Sequence, residues 1–164
     1  MSLLIPLIEK LKKEHILSSD EFITLLDGLM EDKEAAAYLQ KEAQEISIAH
    51  FGKNIYIRGL IEFTNFCRND CYYCGIRKSN LNAVRYHLSK DSILACCHAG
   101  YDLGFRTFVL QGGEDMSYTD DAMAEIISDI RRSFPDCAIT LSVGERSHET
   151  YQKWFDAGAN RFLL

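Results

Sequence analysis

Apolar residues recur along the chain with two different periods, and the change from one to the other falls near residue 54. Before it the period is helical. The short apolar start through Ile8 runs into the charged stretch 9–14, an amphipathic helix. Ser18 and Glu21 stand at capping-box spacing, where hydroxyl and carboxylate satisfy orphan amides at a helix start. Phe22, Leu25, Leu26 and Leu29 follow at helical spacing, and after a turn at 31–34 Tyr38, Leu39, Ile46 and Ala49 predict a third helix ending near His50. From Asn54 onward the alternation is two-fold, which predicts a strand over 55–64. Beyond residue 90 helices are expected over 91–103, 120–133 and 148–157, with strands over 106–111 and 137–143 and a last one starting at Arg161. Ser89, Thr119 and Ser147 stand where helix N-caps belong, and Gly104 and Gly158 where helices end.

Repeated strand-then-helix units imply parallel strands joined by helical crossovers, so the fold class is α/β. A closed eight-stranded (β/α)8 barrel needs about 250 residues, whereas four strands are counted here. The expectation is the N-terminal part of a TIM-type barrel, with a helical segment over 1–53 and the first half barrel over 54–164, truncated at its C-terminal end. A complete small α/β sheet is the alternative, and its last strand would lack a covering helix. Two strands split by face. Cys137, Ile139, Leu141 and Val143 oppose Ala138, Thr140 and Ser142; Ile57, Gly59, Ile61 and Phe63 oppose Arg58, Leu60, Glu62 and Thr64. Parallel strands buried on both faces read as continuously apolar, so a polar inner face predicts a lumen that holds something polar. The loops following the strands share one end, and chemistry is expected there.

Composition narrows the function classes. The 164 residues are 47% hydrophobic and 26% charged with a net charge of −6, an ordinary globular balance. No basic run supports a nucleic-acid partner. The start lacks a cleavage site and is too short to span a membrane, so a cytoplasmic protein without a membrane partner is expected. In such a chain six cysteines read as reduced thiols or metal ligands. Cys97 shares a helix face with Ile93, Leu94 and Tyr101, and Cys137 lies on the apolar strand face; both read as core.

The remaining chemistry concentrates in FTNFCRNDCYYCG at 63–75, where Cys67, Cys71 and Cys74 have the spacing C-x3-C-x2-C. A structural zinc site wants four protein ligands and an ordinary [4Fe-4S] cluster four thiolates. Three thiols in eight residues suggest a cluster with one iron left open. A zinc site would need a fourth ligand, and His50, His87 and His98 are available, though none at a usual finger spacing.

This cysteine loop at the end of a first strand resembles the signature of the radical S-adenosylmethionine superfamily. The resemblance implies that Cys67, Cys71 and Cys74 hold a [4Fe-4S] cluster whose fourth iron is chelated by S-adenosyl-L-methionine. It implies that Tyr73 lies against the adenine and that Gly112, Gly113 and Glu114, at the end of the next strand, receive the methionine amino group. Glycines let backbone carbonyls approach an ammonium closely, and an acidic group favours its charge. Thr140, Ser142 and Glu145, on and after the third strand, are candidates for the cofactor's carboxylate or ribose; Glu145 also reads as a loop acid before a helix N-terminus.

Within the superfamily, CGIRKSN at 74–80, VLQGGED at 109–115, TLSVGE at 140–145 and WFDAGANRFLL at 154–164 look most like the [FeFe]-hydrogenase H-cluster maturase branch, related to biotin synthase and methylornithine synthase. The resemblance implies an enzyme that cleaves S-adenosylmethionine reductively to a 5′-deoxyadenosyl radical. It also implies an iron-complex or small-molecule substrate, a flavodoxin- or ferredoxin-type electron donor, and other hydrogenase maturation proteins as partners. An open half barrel is not expected to be active alone. The rivals are a biotin synthase-like or methylornithine synthase-like enzyme and, in another class, a non-catalytic iron–sulfur or zinc module, which would not need the Gly112–Glu114 segment.

Overall fold

The computed structural model describes residues 2–163, which form two compact units dividing between Ile55 and Tyr56. In the first, α1 (Ile5–Glu14), α2 (Ser19–Glu31) and α3 (Lys33–Phe51) pack around Leu4, Ile8, Leu17, Leu25 and Ala35. The capping box forms: Ser18 Oγ accepts from the Glu21 amide at 3.3 Å, and the Glu21 carboxylate accepts from the Ser18 amide at 2.8 Å. Asp32 alone separates α2 from α3 and caps α3 through the Ala35 amide at 3.0 Å. Of the expected α2 face only Leu25 is buried, while Phe22 and Leu26 are exposed within this unit. Helices this short bury one narrow stripe each.

The second unit is a four-stranded parallel sheet, β1 (Gly59–Glu62), β2 (Thr107–Gln111), β3 (Ala138–Ser142) and β4 (Arg161–Phe162), ordered β1-β2-β3-β4. The crossovers carry α4 (Lys90–Asp102), α5 (Asp120–Ser133) and α6 (His148–Ala157). Ser89, Thr119 and Ser147 each cap the helix that follows them, accepting from the amide three residues on. Gly104 and Gly158 take φ of +93° and +120°, a region closed to most side chains.

One sheet face is covered. Ile61, Phe63, Phe108, Leu110, Ile139, Leu141 and Val143 pack with Ile93, Cys97, Met123, Ile126, Ile127, Ile130 and Trp154 in one apolar core. The face assigned to Cys137, Ile139, Leu141 and Val143 is therefore the helix-covered one. On the other, Leu60 and Glu62 are exposed and Ser142 half-buried.

The first strand is shorter than its alternation predicts, 59–62 instead of 55–64. Among the described residues its neighbour is β2, and pairing starts at Gly59 opposite Phe108, so residues 55–58 stay outside the ladder. Ile55, Tyr56 and Ile57 are exposed. Pairing at the other end persists one residue further, where the Phe63 amide donates to Gln111 O at 3.0 Å. Among the described residues no helix is long and apolar enough to cross a membrane.

Candidate functional site

The chain leaves β1 into a long excursion that returns only at Leu88, whose amide donates to Phe63 O at 2.8 Å. Within it the cysteine segment is a run of tight turns closed by its own backbone. The Cys74 amide donates to Cys71 O at 3.0 Å and the Lys78 amide to Asn69 O at 2.9 Å. Asp70 accepts from the Ser79 amide at 2.9 Å, and hydrogen bonds from Ser79, side chain first, hold its carboxyl below the usual range. Cys71 is exposed, Cys67 and Cys74 are half-buried, and all three thiols are free. Tyr72 and Tyr73 stand almost fully in solvent.

The segment after β2 docks directly on this loop. The Gly112 amide donates to Ser142 O at 3.0 Å, continuing the sheet toward β3. A Cβ on Gly112 would lie 2.6 Å from Thr64 Cγ2, and one on Gly113 only 2.2 Å from Phe66 O and 2.6 Å from Cys67 Cβ. Both positions are filled by the approaching loop, so they require glycine for packing. Glu114 is committed to the same loop: its carboxylate accepts from Arg68 Nε and Nη2, each at 2.8 Å, and from Asn69 Nδ2 at 2.7 Å. Its carbonyl takes the Arg68 amide at 3.1 Å. Gly144, at φ +76°, lets the loop after β3 close over Glu114; a Cβ there would sit 1.9 Å from Glu114 Cγ.

Three strand ends thus converge as the parallel topology requires. They enclose a cavity of about 350 Å³, lined by Glu62, Thr64 and Asn65 from the first, Gln111 and Gly112 from the second, Ser142 from the third, and Cys74, Ile76 and Tyr86 from the cysteine excursion. Glu62, Gln111 and Ser142 lie side by side in register, and Gln111 Nε2 donates to Glu62 Oε1 at 3.3 Å. Cys74, Gly112 and Ser142 are brought together at this cavity. Tyr73 and Glu145 are not: both are exposed and outside its lining. Thr140 is buried within the sheet, and its Oγ1 has no hydrogen-bond partner among the described residues.

Sequence reasoning passed over a polar cluster beneath the loop. Asp115 is buried; its Oδ2 accepts from Thr64 Oγ1 at 2.6 Å and lies 2.6 Å from His87 Nε2. Its Oδ1 accepts from the Ser117 amide at 2.9 Å and from Ser117 Oγ at 2.6 Å. Burial is the largest single influence on this carboxyl and works to raise its pKa; the bonds from Ser117, Thr64 and His87 together outweigh it and hold it below the usual range. His87, weighed above as a zinc ligand, stacks flat on Phe66 at 4.2 Å. His98 packs edge-on against Phe134 at 4.8 Å. The available signal was an acid directly after Gly-Gly-Glu, too short a pattern to stand alone.

Among the described residues, no three His, Cys, Asp or Glu side chains are gathered as around a single metal ion. The donor chemistry fits a larger group: three thiols spaced along one exposed-to-half-buried loop, with Cys74 in the wall of a polar cavity. An iron–sulfur cluster is held by thiolates spread around a cube of iron and sulfide, and the cavity volume is within the range of small-molecule sites.

Residues 61–164 match the Radical SAM superfamily. Over 126 residues the chain is 41% identical to the [FeFe] hydrogenase maturase subunit HydE of Thermotoga maritima, covering 77% of this chain and 36% of that protein. It is 30% identical over 159 residues to 3-methylornithine synthase of Methanosarcina acetivorans, covering 95% of this chain and 44% of that one. Among solved structures, the crystal structure of methylornithine synthase (PylB) superposes with a TM-score of 0.82 at 26% identity, over 95% of this chain and 46% of that one. The chain spans less than half the length of the proteins it matches.

Proposed function

Since this chain belongs to the radical SAM superfamily, whose enzymes use a [4Fe-4S] cluster and S-adenosylmethionine, we propose that it carries the radical-generating part of a hydrogenase-maturase-like enzyme. One observation supports the reading: the cysteine loop packs directly on the Gly112–Gly113 segment, with Cys67 against Gly113 and Cys74 in the wall of the cavity that Gly112 lines. Cys67, Cys71 and Cys74 would hold the cluster. When bound, the reduced cluster and cofactor supply a 5′-deoxyadenosyl radical; the protein supplies position and shelter.

Gly112 and Ser142 line the cofactor's cavity, and Gly113 lets the second strand end lie against Cys67. Glu114 serves by bracing Arg68 and Asn69, so its role toward the cofactor is one of positioning. Tyr73, exposed on the loop, would turn onto the adenine, and Thr140 and Glu145 would serve the cofactor's carboxylate or ribose hydroxyls. The electron donor is of the flavodoxin or ferredoxin type. The substrate is an iron-containing precursor of the hydrogenase active-site cluster, as the similarity to the Thermotoga maritima maturase suggests. A methylornithine synthase-like activity is the second reading, favoured by the 95% coverage of this chain by that relative.

Anaerobic reconstitution with iron and sulfide tests this. A brown protein is expected, with a reduced EPR signal that changes on addition of S-adenosylmethionine. Cys71→Ala should abolish both and Cys137→Ala should spare both. Iron-free protein holding one tight zinc, or equal losses in the two variants, would sink the reading.

A further inference from the structure

Arg85 lies outside every motif discussed above, yet its guanidinium sits at the neck of the cysteine excursion. Its Nη1 donates to Asn65 O and, at 2.8 Å, to Ile76 O; its Nη2 donates to Arg77 O at 2.7 Å and Asn80 O at 3.2 Å. Asn65 is two residues before Cys67 and Ile76 two after Cys74. The four Nη hydrogens therefore join the entry and exit of the segment that bears the three thiols.

The grip is reciprocal. Asn65 Nδ2 donates to Val84 O at 2.7 Å, and the Tyr86 amide donates to Asn65 Oδ1 at 2.8 Å. Arg85 thus holds the main chain of Asn65, while the Asn65 side chain holds the residues on either side of Arg85. Both Asn65 and Ile76 line the cavity, so the clasp is also part of its wall. Among the described residues the polar partners of Arg85 are all backbone carbonyls. Surface arginines usually meet water or an acid. One spent wholly on carbonyls of a single loop is spent on that loop's shape, and only the planar fork of arginine offers enough divergent donors; lysine has three on one atom.

We propose that Arg85, clasped with Asn65, is the positioning residue that presets the backbone of the cysteine loop before any metal arrives, closing the neck of the segment that bears the three thiols and holding Cys74 in the cavity wall. The proposal rests on the cluster reading above only for its second readout. Without the clasp, the loop must pay the entropy of ordering at the moment of cluster assembly.

The first readout is hydrogen exchange followed by mass spectrometry on the metal-free chain. Arg85→Ala and Asn65→Ala should each speed exchange across 65–80 by tenfold or more, leaving β2 and β3 protected. Millimolar methylguanidine should restore protection in Arg85→Ala but not in Asn65→Ala, and Arg85→Lys should fall between alanine and wild type. Unchanged exchange in 65–80, or equal loss of protection across β2 and β3, would overturn the proposal. The second readout is iron released to a chelator after anaerobic reconstitution, expected severalfold faster in Arg85→Ala and slowed again by methylguanidine. Wild-type chain that takes up no iron would defeat the cluster reading, and the exchange result would still decide on the clasp.

Discussion

Gly113 and Cys67 are in contact with no room for a side chain between them: a Cβ on Gly113 would lie 2.6 Å from the Cys67 Cβ. Phe66 O is nearer still, at 2.2 Å, and as backbone it can yield only if the loop moves. Gly113→Ala should therefore destabilise the second unit by about 1–3 kcal/mol, the range for overpacking, and lower iron uptake severalfold. Gly75→Ala is the matched control in the same loop. Its Cβ would meet nothing within 4 Å, so a change within about 0.5 kcal/mol is expected. Urea unfolding of the two variants checks both statements.

The Glu114–Arg68 pair tests whether Glu114 braces the loop. Glu114 is largely buried and Arg68 half-exposed, so solvent screens part of the attraction. Glu114→Ala should cost about 1–2 kcal/mol, and a double-mutant cycle with Arg68→Ala should show a coupling of about 0.5–1 kcal/mol. Additive effects would mean that the bonds contribute nothing beyond each side chain alone.

Asp115 makes a prediction in acid. Its folded pKa is depressed, so the stability it contributes is complete above the unfolded value, about 3.9, and is lost as pH falls through the folded one. Asp115→Asn should therefore be less stable than wild type near pH 7, and the gap should close below about pH 4. A gap independent of pH in urea titrations would show that the charge is immaterial.

The six thiols should sort by burial. Burial, with Cys96 and Cys137 nearby, pushes the Cys97 thiol up to about 12, and burial followed by Asp136 raises Cys137. At pH 8 in metal-free protein, iodoacetamide should label Cys71 and Cys96 first and then Cys67 and Cys74, since thiolate and access both govern the rate. Cys97 and Cys137 should react only after unfolding, which peptide mapping would reveal.

Much of this was legible in order along the chain. The caps at Ser18, Ser89, Thr119 and Ser147 act within one helical turn, so the helix starts could be placed from neighbouring residues alone. The covered face of β3 was legible because a two-fold apolar period has a single solution. The first strand was overestimated because alternation shows which residues can pair, while the tertiary register with β2 decides which do. Glu114 was read as a cofactor contact, and its engagement by Arg68, forty-six positions earlier in the chain, could not be seen there. A separation of 51 positions likewise hid Asp115 from Thr64.

By itself, then, the sequence determined the helices, the parallel strands and the spacing of the three thiols and their Gly-Gly-Glu counterpart, because propensity, capping and motif spacing are local. Only the tertiary structure decided what those parts do to one another. It shows that both glycines are packed against the thiol loop, that the Glu114 carboxylate is held by Arg68 and Asn69, and that Arg85 and Asn65 bond across the loop's neck. Such roles depend on which backbones pass within a few ångströms, and that distance is set by sheet register and loop docking.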